Sequence, residues 1–171
     1  MPRIDLDSHF SRIDNLAREI NELVPNGGYK QVQFRADLAG LLVVAMAATY
    51  ETCVKDVLYD FANRHHIVFG AFTQRNYEKL NSRIRLDDLK KYCRLFDDSI
   101  SQRFKTLLAD RKNKILGRSG TNIETSYDQI LTWRHDFAHA GIRNTTIEEA
   151  IKTHRAAKRV LYTFDAAFNV K

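Results

Sequence analysis

Apolar residues recur every three or four positions along most of the chain, the spacing that places them on one face of an α-helix. The first such stretch predicts a helix from about Ser8 to Val24, which the segment Pro25-Asn26-Gly27-Gly28 would end. A longer stretch predicts a second helix from about Val32 to His65. Because this helix is apolar on most sides between Leu38 and Ala48, we expect it to be the central buried helix.

The middle of the chain has a weaker pattern. For the region from Ile67 to Asn81 we predict a loop with one short helix near Thr73 to Leu80. A short helix is predicted from Leu86 to Phe96, and a longer one from about Asp98 to Leu116, with Asp97, Asp98 or Ser99 as its cap. The residues from Gly117 to Gly120 are predicted to form a flexible loop.

Two further helices are predicted in the last third of the chain. The first is capped by Thr121 or Asn122 and ends at Gly141. The second is capped by Thr145 or Thr146 and continues to about Phe168. No alternation of apolar and polar residues persists long enough to indicate a sheet, so the sequence predicts an all-α fold in a single domain that spans residues 1–171.

The charge of the chain is moderately basic and unevenly placed. It carries 27 Lys and Arg residues against 21 Asp and Glu residues, a formal net charge of +6. Between positions 103 and 118 only Asp110 opposes a group of basic residues. That group is Arg103, Lys105, Arg111, Lys112, Lys114 and Arg118. It is typical of a solvated helix face, and it also fits a surface that guides RNA electrostatically.

Cysteine usage and hydropathy predict a cytoplasmic protein with no membrane partner. Cys53 and Cys93 form neither a metal-type cluster nor a disulfide framework, which indicates a reducing compartment. The N-terminal residues lack the apolar core of a signal peptide. The longest apolar run, Leu38 to Ala48, has eleven residues and is shorter than a membrane span.

The segment from Trp133 to Gly141 concentrates the candidate chemistry. It contains Arg134, His135, Asp136 and His139 near the end of a strongly patterned helix. Arginine is permanently charged and suits phosphate, and histidine transfers a proton near neutral pH. An enzyme that cleaves a phosphodiester needs both properties in one place.

Helical geometry leaves two explanations for Arg134 and two for His139. The apolar face of this helix is formed by Ile123, Tyr127, Ile130, Leu131 and Ala138. Arg134 falls on that face, where its charge needs either a carboxylate such as Asp136 or Glu51, or a cleft or dimer seam that holds anions. His139 lies roughly 140° farther around an ideal helix. The two side chains would converge if the helix ended near Phe137, or if a second copy of the chain completed the site.

Metal and cofactor chemistry find little support. His135 and His139 are four residues apart, a spacing that binds zinc from one helix face, but no third ligand is nearby in sequence. The phosphate loop, the dinucleotide turn and the nucleophile elbow are all missing from the sequence. We therefore expect no metal and no cofactor.

Two segments resemble the HEPN superfamily. Arg134-His135-Asp136-Phe137-Ala138-His139 is similar to its signature of Arg, a polar residue, three further residues and His, toward the end of a late helix. The segment from Ala48 to Leu58, with Tyr50-Glu51, resembles the aromatic-Glu segment on the long second helix of the RiboL-PSP-like and MAE-like HEPN branches.

The resemblance implies a compact up-and-down bundle of four to five main helices plus short helices. It implies a homodimer in which the motifs of two protomers face each other. By motif match Arg134 and His139 are the catalytic candidates, His135 takes the polar position, Asp136 flanks it, and Glu51 is a weaker supporting residue. Many members are metal-independent endoribonucleases of toxin–antitoxin, phage-defence or RNA-processing systems.

The expected function is therefore a metal-independent endoribonuclease, a toxin or phage-defence effector that cleaves RNA through attack by a 2′-hydroxyl. An antitoxin or another regulatory partner protein would control it. The alternative is a non-catalytic helical partner of HEPN type that binds a nucleotide or a protein. A third interpretation is an interaction domain in which Arg134 and Asp136 form a structural ion pair.

Overall fold

The computed structural model describes residues 6–27, 31–81 and 83–169, which form seven α-helices and no strand. The helices are α1 (Leu6–Leu23), α2 (Val32–His65), α3 (Ile67–Tyr77), α4 (Leu86–Phe96), α5 (Asp98–Ser119), α6 (Ile123–Ala140) and α7 (Ile147–Phe168). Five of them have 18 residues or more and two have 11. The all-α prediction, with its main and short helices, is confirmed.

Local capping explains why most helices begin and end where the sequence predicts. The side chain of Asn122 accepts hydrogen bonds from the backbone N–H groups of the first turn of α6, and Thr146 does the same for α7. Asp97 caps α5. Gly141 ends α6 in the left-handed region, with φ of 62°. The predicted stop of α1 includes Gly28, which lies outside the described residues.

The prediction for Ile67 to Asn81 was wrong, because α3 occupies most of it. His66 takes an extended conformation and its ring Nδ1 accepts a hydrogen bond from the N–H of Val68, which starts α3 directly after α2. Gly70 then packs so closely on α2 that a Cβ there would lie 2.9 Å from the Cα of Asn63. The sequence pattern failed because the large apolar residues at the start of α3 are exposed and therefore show no buried stripe.

The predicted loop from Gly117 to Gly120 was also wrong. Helix α5 continues to Ser119, and Gly120 adopts the left-handed conformation with φ of 65°. Gly117 stands inside the helix with no atom within 4 Å of the place where a Cβ would be. A glycine in a helix weakens it without ending it, and only the second of the two glycines supplies the stop.

Helix α2 is the centre of the bundle and packs against α1, α3, α6 and α7. Helix α6 runs antiparallel to it, because Tyr127 stacks on Tyr50 with ring centroids 5.4 Å apart while Phe137 lies against Gly40. A Cβ at position 40 would lie 2.2 Å from the ring of Phe137. The glycine therefore permits the close approach that holds the last turns of α6 on α2.

The two stacked tyrosines each form a buried hydrogen bond through the hydroxyl group. The hydroxyl of Tyr127 donates to the carbonyl oxygen of Ile84 over 2.8 Å, which fixes the segment before α4. Tyr50 Oη and His154 Nδ1 form a second hydrogen bond of 2.8 Å between α2 and α7. Burial, with a smaller contribution from Lys158, lowers the pKa of His154 to about 4, so this imidazole is neutral at pH 7.

By length and composition α2 qualifies as a candidate membrane span, although its longest apolar run is short. Half of its most apolar 18-residue window is buried inside the fold. That burial is the property of a core helix packed by its neighbours. The cytoplasmic location stays a prediction, as does the extent of the domain over residues 1–171.

Candidate active site

The candidate chemistry of the sequence is carried by the last turns of α6, which remain helical through Ala140. The N–H of Gly141 donates to the carbonyl oxygen of Phe137 over 3.0 Å, and the N–H of Ile142 donates to that of Asp136 over 3.3 Å. The idea that the helix ends near Phe137 was therefore wrong. Packing on Gly40 and the left-handed cap at Gly141 keep these turns regular, so Arg134 and His139 point roughly 140° apart.

A polar pocket of about 200 Å³ opens between α2, α6 and the residues before α4. Its polar lining is formed by Glu51, Arg85, Arg134 and His135. Its apolar lining is formed by Val44, Ala47, Ala48, Ile84 and Leu131. The fold thus brings together three of the residues singled out in the sequence, since Glu51 comes from α2 while Arg134 and His135 come from α6.

The guanidinium of Arg134 forms no ion pair with any carboxylate of residues 6–27, 31–81 and 83–169. The structural ion pair considered for it is therefore not present. Glu51 pairs with Lys55, 2.9 Å away, and Asp136 accepts a hydrogen bond of 2.9 Å from Asn144. A half-buried guanidinium in this position is available to an anion that enters the pocket.

His139 lies outside the pocket and is exposed, but it is not isolated from it. Its ring contacts that of His135 with centroids 4.6 Å apart and an angle of 48° between the planes. His135 lines the pocket, so the two imidazoles extend from its edge onto the surface of α6. No group of three side chains suited to a metal is found among the described residues.

Asp136 does not line the pocket. It accepts hydrogen bonds from the loop between α6 and α7. Besides accepting from Asn144, its backbone carbonyl closes the helix cap. Arg143 in the same loop pairs with Asp37 on α2. These contacts attach the connection between α6 and α7 to the bundle beside the motif.

Arg85 is a pocket residue that the sequence did not reveal. It immediately precedes α4, where its backbone N–H donates to Asp88 Oδ2 over 3.0 Å. The hydrogen bond from the Tyr127 hydroxyl to the carbonyl oxygen of the neighbouring Ile84 holds this segment beside the pocket. No motif or spacing marks Arg85, since its placement depends on a contact between residues 43 positions apart.

The basic segment of α5 does not reach this pocket, because none of its six cations is among the lining residues. Lys112 pairs with Glu124 at 3.0 Å. Arg111 and Arg118 line a different groove, on the side of the bundle formed by α5 and α7. A role of the segment in guiding RNA stays a prediction.

Apolar side chains are exposed next to the candidate site. Leu41 is 56% exposed and shares one side of α2 with Val44 and Ala48, which line the pocket. Phe34, two helical turns before Leu41, is 57% exposed. Ile142, just after α6, is 50% exposed. Large apolar side chains beside a polar pocket are a feature of surfaces that bind another protein.

Comparison with known families gives a match over most of the chain. The family model described as RiboL-PSP-HEPN matches residues 7–170. No curated protein and no solved structure gave a significant match.

Proposed function

This chain belongs to the RiboL-PSP-HEPN family, and we propose that it is a metal-independent endoribonuclease that acts as a homodimer. The observation that carries the proposal is the pocket in which Arg134 lies beside Glu51, Arg85 and His135, with the ring of His139 in contact with that of His135. A permanent cation in a sheltered pocket next to two imidazoles provides phosphate binding and proton transfer together.

In the proposed mechanism Arg134 binds the scissile phosphodiester. Its guanidinium donates two parallel hydrogen bonds to the non-bridging oxygens and opposes the negative charge that grows as the phosphorus becomes pentacoordinate. Such a fixed cation in a sheltered site contributes roughly 3 to 4 kcal/mol to the transition state. Arg85, which comes from the segment before α4, adds a second positive charge to the pocket.

The histidines transfer the protons. One imidazole takes the proton of the RNA 2′-hydroxyl as this oxygen bonds to phosphorus, and a second imidazole gives a proton to the 5′-oxygen as its bond to phosphorus breaks. The products are a 2′,3′-cyclic phosphate and a 5′-hydroxyl. We assign these roles to His139 and, as the second proton-transfer group, His135. Histidine is the side chain that enzymes most often use for both roles.

The angle between Arg134 and His139 supports a site shared by two copies of the chain. Within one protomer Arg134 faces the pocket and His139 faces outward, so His139 of a second copy is the group best placed to approach a phosphate on Arg134. The exposed Phe34, Leu41 and Ile142 provide apolar area for that contact. In a two-fold dimer the same surface is used by both copies.

The biological setting that we propose is a toxin or phage-defence effector, held in check by an antitoxin or another regulatory protein. An active ribonuclease would damage the RNA of its own host, which is the reason to expect such control. The setting rests on the family and is separate from the chemistry of the pocket.

The chemistry is tested by incubating total RNA with the purified protein in EDTA and mapping the ends of the products. Wild type is expected to leave 2′,3′-cyclic phosphate ends, and Arg134→Ala and His139→Ala are each expected to abolish cleavage. His65→Ala, at an exposed histidine far along α2, is the matched control and should cleave like wild type. Full cleavage by both site variants would contradict the proposal.

One observation favours a second candidate, a non-catalytic partner that binds a nucleotide. Two guanidiniums line the pocket while His139 lies outside it, an arrangement that suits a phosphate group without cleaving it. In that case labelled nucleotide should bind wild type, binding should weaken in Arg85→Ala and Arg134→Ala, and RNA should remain intact.

A further inference from the structure

A second groove, of about 650 Å³, lies between the C-terminal half of α5 and α7, with the start of α6 at its end. Among the residues that the structure describes, five cations line it. They are Arg111 and Arg118 of α5 and Lys152, Arg155 and Arg159 of α7. On each helix the outer two cations are seven residues apart, so each row is about 10 Å long. One acidic side chain, Glu149, lines the groove beside them.

These cations keep their charge available. All five are exposed, and none of them forms an ion pair with a carboxylate in the part of the chain that the structure describes. By contrast Lys112, on the neighbouring side of α5, is neutralised by Glu124. Five like charges around one groove repel one another, and a polyanion in the groove would relieve that repulsion.

The lining fits the backbone of a nucleic acid better than an acidic protein. Four of the five cations are arginines, whose planar fork matches a phosphate group. The other polar lining residues are Ser119, Thr121, Ser126 and Thr153. The hydroxyls of the first three donate to backbone carbonyl oxygens, so the cations are the donors that an incoming phosphate would meet. None of the described lining residues is aromatic, so the groove offers neither the anchors typical of protein interfaces nor a platform for stacked bases.

The groove is separate from the candidate active site. In the described parts of the chain the two share no lining residue. Ser126, which lines the groove, and His135, which lines the pocket, are nine positions apart on α6 and therefore project from opposite sides of that helix. A ligand in the groove therefore leaves the pocket open.

We infer that this groove is an RNA-binding exosite that holds the phosphate backbone of the substrate without reading its sequence, away from the point of cleavage. The inference rests on the proposed function for the choice of RNA as the polyanion. It adds Lys152, Arg155 and Arg159, which no sequence motif marked, to the residues that contact substrate. Its consequence is that long RNAs bind more tightly than short ones, while cleavage of a dinucleotide is unaffected by the groove.

Binding to a labelled single-stranded RNA, longer than the groove, tests the inference. Fluorescence anisotropy is measured in EDTA between about 50 and about 200 mM salt, with His139→Ala protein so that the RNA stays intact. Replacing Arg111, Arg155 and Arg159 by Gln should weaken binding about tenfold or more at low salt, and should lower the slope of log affinity against log salt by about 2. The matched control replaces Arg12, Arg75 and Arg94 by Gln, which removes the same charge from three exposed arginines outside the groove, and should bind like the parent protein.

A second variant tests the same groove in the opposite direction. Glu149→Gln removes the acidic side chain from the lining and leaves an oxygen to accept the hydrogen bond that Thr145 donates to it. It should bind the RNA more tightly than the parent and give a steeper salt dependence.

The outcomes separate this inference from the proposed function. Equal losses in the groove triple variant and the control would show an effect of net charge alone and overturn the inference. The inference would also be overturned if the groove triple variant still bound RNA but no longer bound a polyglutamate peptide. That result would assign the groove to an acidic protein. Binding is measured without cleavage, so the two proposals can fail separately. If the groove variants bind as expected but the wild-type protein cleaves no RNA, the ribonuclease proposal is refuted and the groove remains assigned to RNA.

Discussion

Arg134 lies on the core-facing side of α6. Its charge is tolerated there because the side chain lines a polar pocket instead of packing only among apolar side chains. Neighbouring residues of the same face, such as Ile130 and Leu131, are buried. The two explanations predicted for Arg134, a structural ion pair and an anion-binding site, have different consequences when this side chain is replaced. An arginine held in a structural ion pair stabilises the fold, whereas an arginine kept for a phosphate contributes to activity and little to stability.

We predict that Arg134→Gln lowers kcat about 100-fold or more while the melting temperature stays within about 2 °C of wild type. The reason is that the guanidinium has no carboxylate partner among the described residues whose loss would be felt in the folded state. RNA cleavage rates and thermal unfolding are the two measurements. A large fall in melting temperature with cleavage retained would instead assign Arg134 to the fold.

We predict that His154 makes the protein less stable in acid. Burial lowers the pKa of His154 from 6.5 to about 4, so below pH 6.5 the unfolded chain binds a proton that the folded chain does not. The free energy of unfolding should therefore fall by about 2 kcal/mol between about pH 7 and pH 5, and should stop falling from this cause near pH 4.

Urea unfolding at both pH values measures this effect, and His154→Phe provides the control. The variant loses the hydrogen bond with Tyr50 and is expected to be less stable at pH 7. Its loss between pH 7 and pH 5 should be smaller than that of wild type by the same 2 kcal/mol or so. An identical pH dependence in both proteins would remove His154 as the cause.

At the scale of elements, the position of the candidate site follows from how closely α6 approaches α2. Two contacts set that approach, the stacked rings of Tyr50 and Tyr127 and the ring of Phe137 on Gly40. The first involves the residue next to Glu51 in the chain and the second a residue of the motif, so together they hold the parts of α2 and α6 that line the pocket. Glycine is needed at position 40 for space, since its backbone is helical and carries no positive φ.

We predict opposite effects for two Gly→Ala substitutions inside helices. Gly40→Ala places a Cβ 2.2 Å from the Phe137 ring, so it should destabilise the protein by about 1 to 3 kcal/mol and reduce cleavage by displacing the end of α6. Gly117→Ala, with nothing within 4 Å of its Cβ, should stabilise the protein by about 0.5 to 1 kcal/mol and leave cleavage unchanged. Chemical denaturation and RNA cleavage distinguish the two.

The combination Gly40→Ala with Phe137→Leu provides a further check on the same contact. A smaller side chain at position 137 makes room for the added methyl group, so the double variant should be more stable than the sum of the two single changes predicts. Strict additivity of the two losses would mean that the contact between α2 and α6 is not what limits position 40.

At the scale of the whole molecule, one protomer presents the parts of the proposed site in different directions. Arg134 faces inward and His139 outward, and the exposed Leu41 and Ile142 stand beside them. A second copy would cover this apolar surface and supply the missing histidine. The basic groove on the side of α5 and α7 would remain open on both copies, since it shares no residue with the pocket.

We predict that mixing two inactive variants restores cleavage. If each site takes Arg134 from one copy and His139 from the other, a heterodimer of Arg134→Ala and His139→Ala has one intact site. An equimolar mixture that exchanges subunits freely should then reach about a quarter of wild-type activity, because half of its dimers have one of two sites intact. Cleavage assays after subunit exchange measure it.

The control for this prediction is the same mixture with Leu41→Glu in both chains. A charge at this exposed apolar position should prevent pairing, give a monomer by light scattering and abolish the restored activity. Failure of the mixture to cleave, with heterodimers present, would refute the division of Arg134 and His139 between copies.

The sequence by itself determined the helical class, most helix boundaries and the family. Helix periodicity and capping are local properties, so Asn122, Thr146 and Gly141 act within one turn of the positions at which they stand. The segment from Arg134 to His139 is likewise local, and it indicated the family that the match over residues 7–170 supports.

The tertiary structure decided what these residues face. It showed that α6 stays helical past Phe137, that α3 replaces a predicted loop, and that Arg85 joins Glu51 and Arg134 in one pocket. It also placed Arg111 and Arg118 beside the cations of α7, away from that pocket. The pocket and the groove depend on packing between residues far apart in the chain, and periodicity shows which face of a helix is buried but not which other helix covers it.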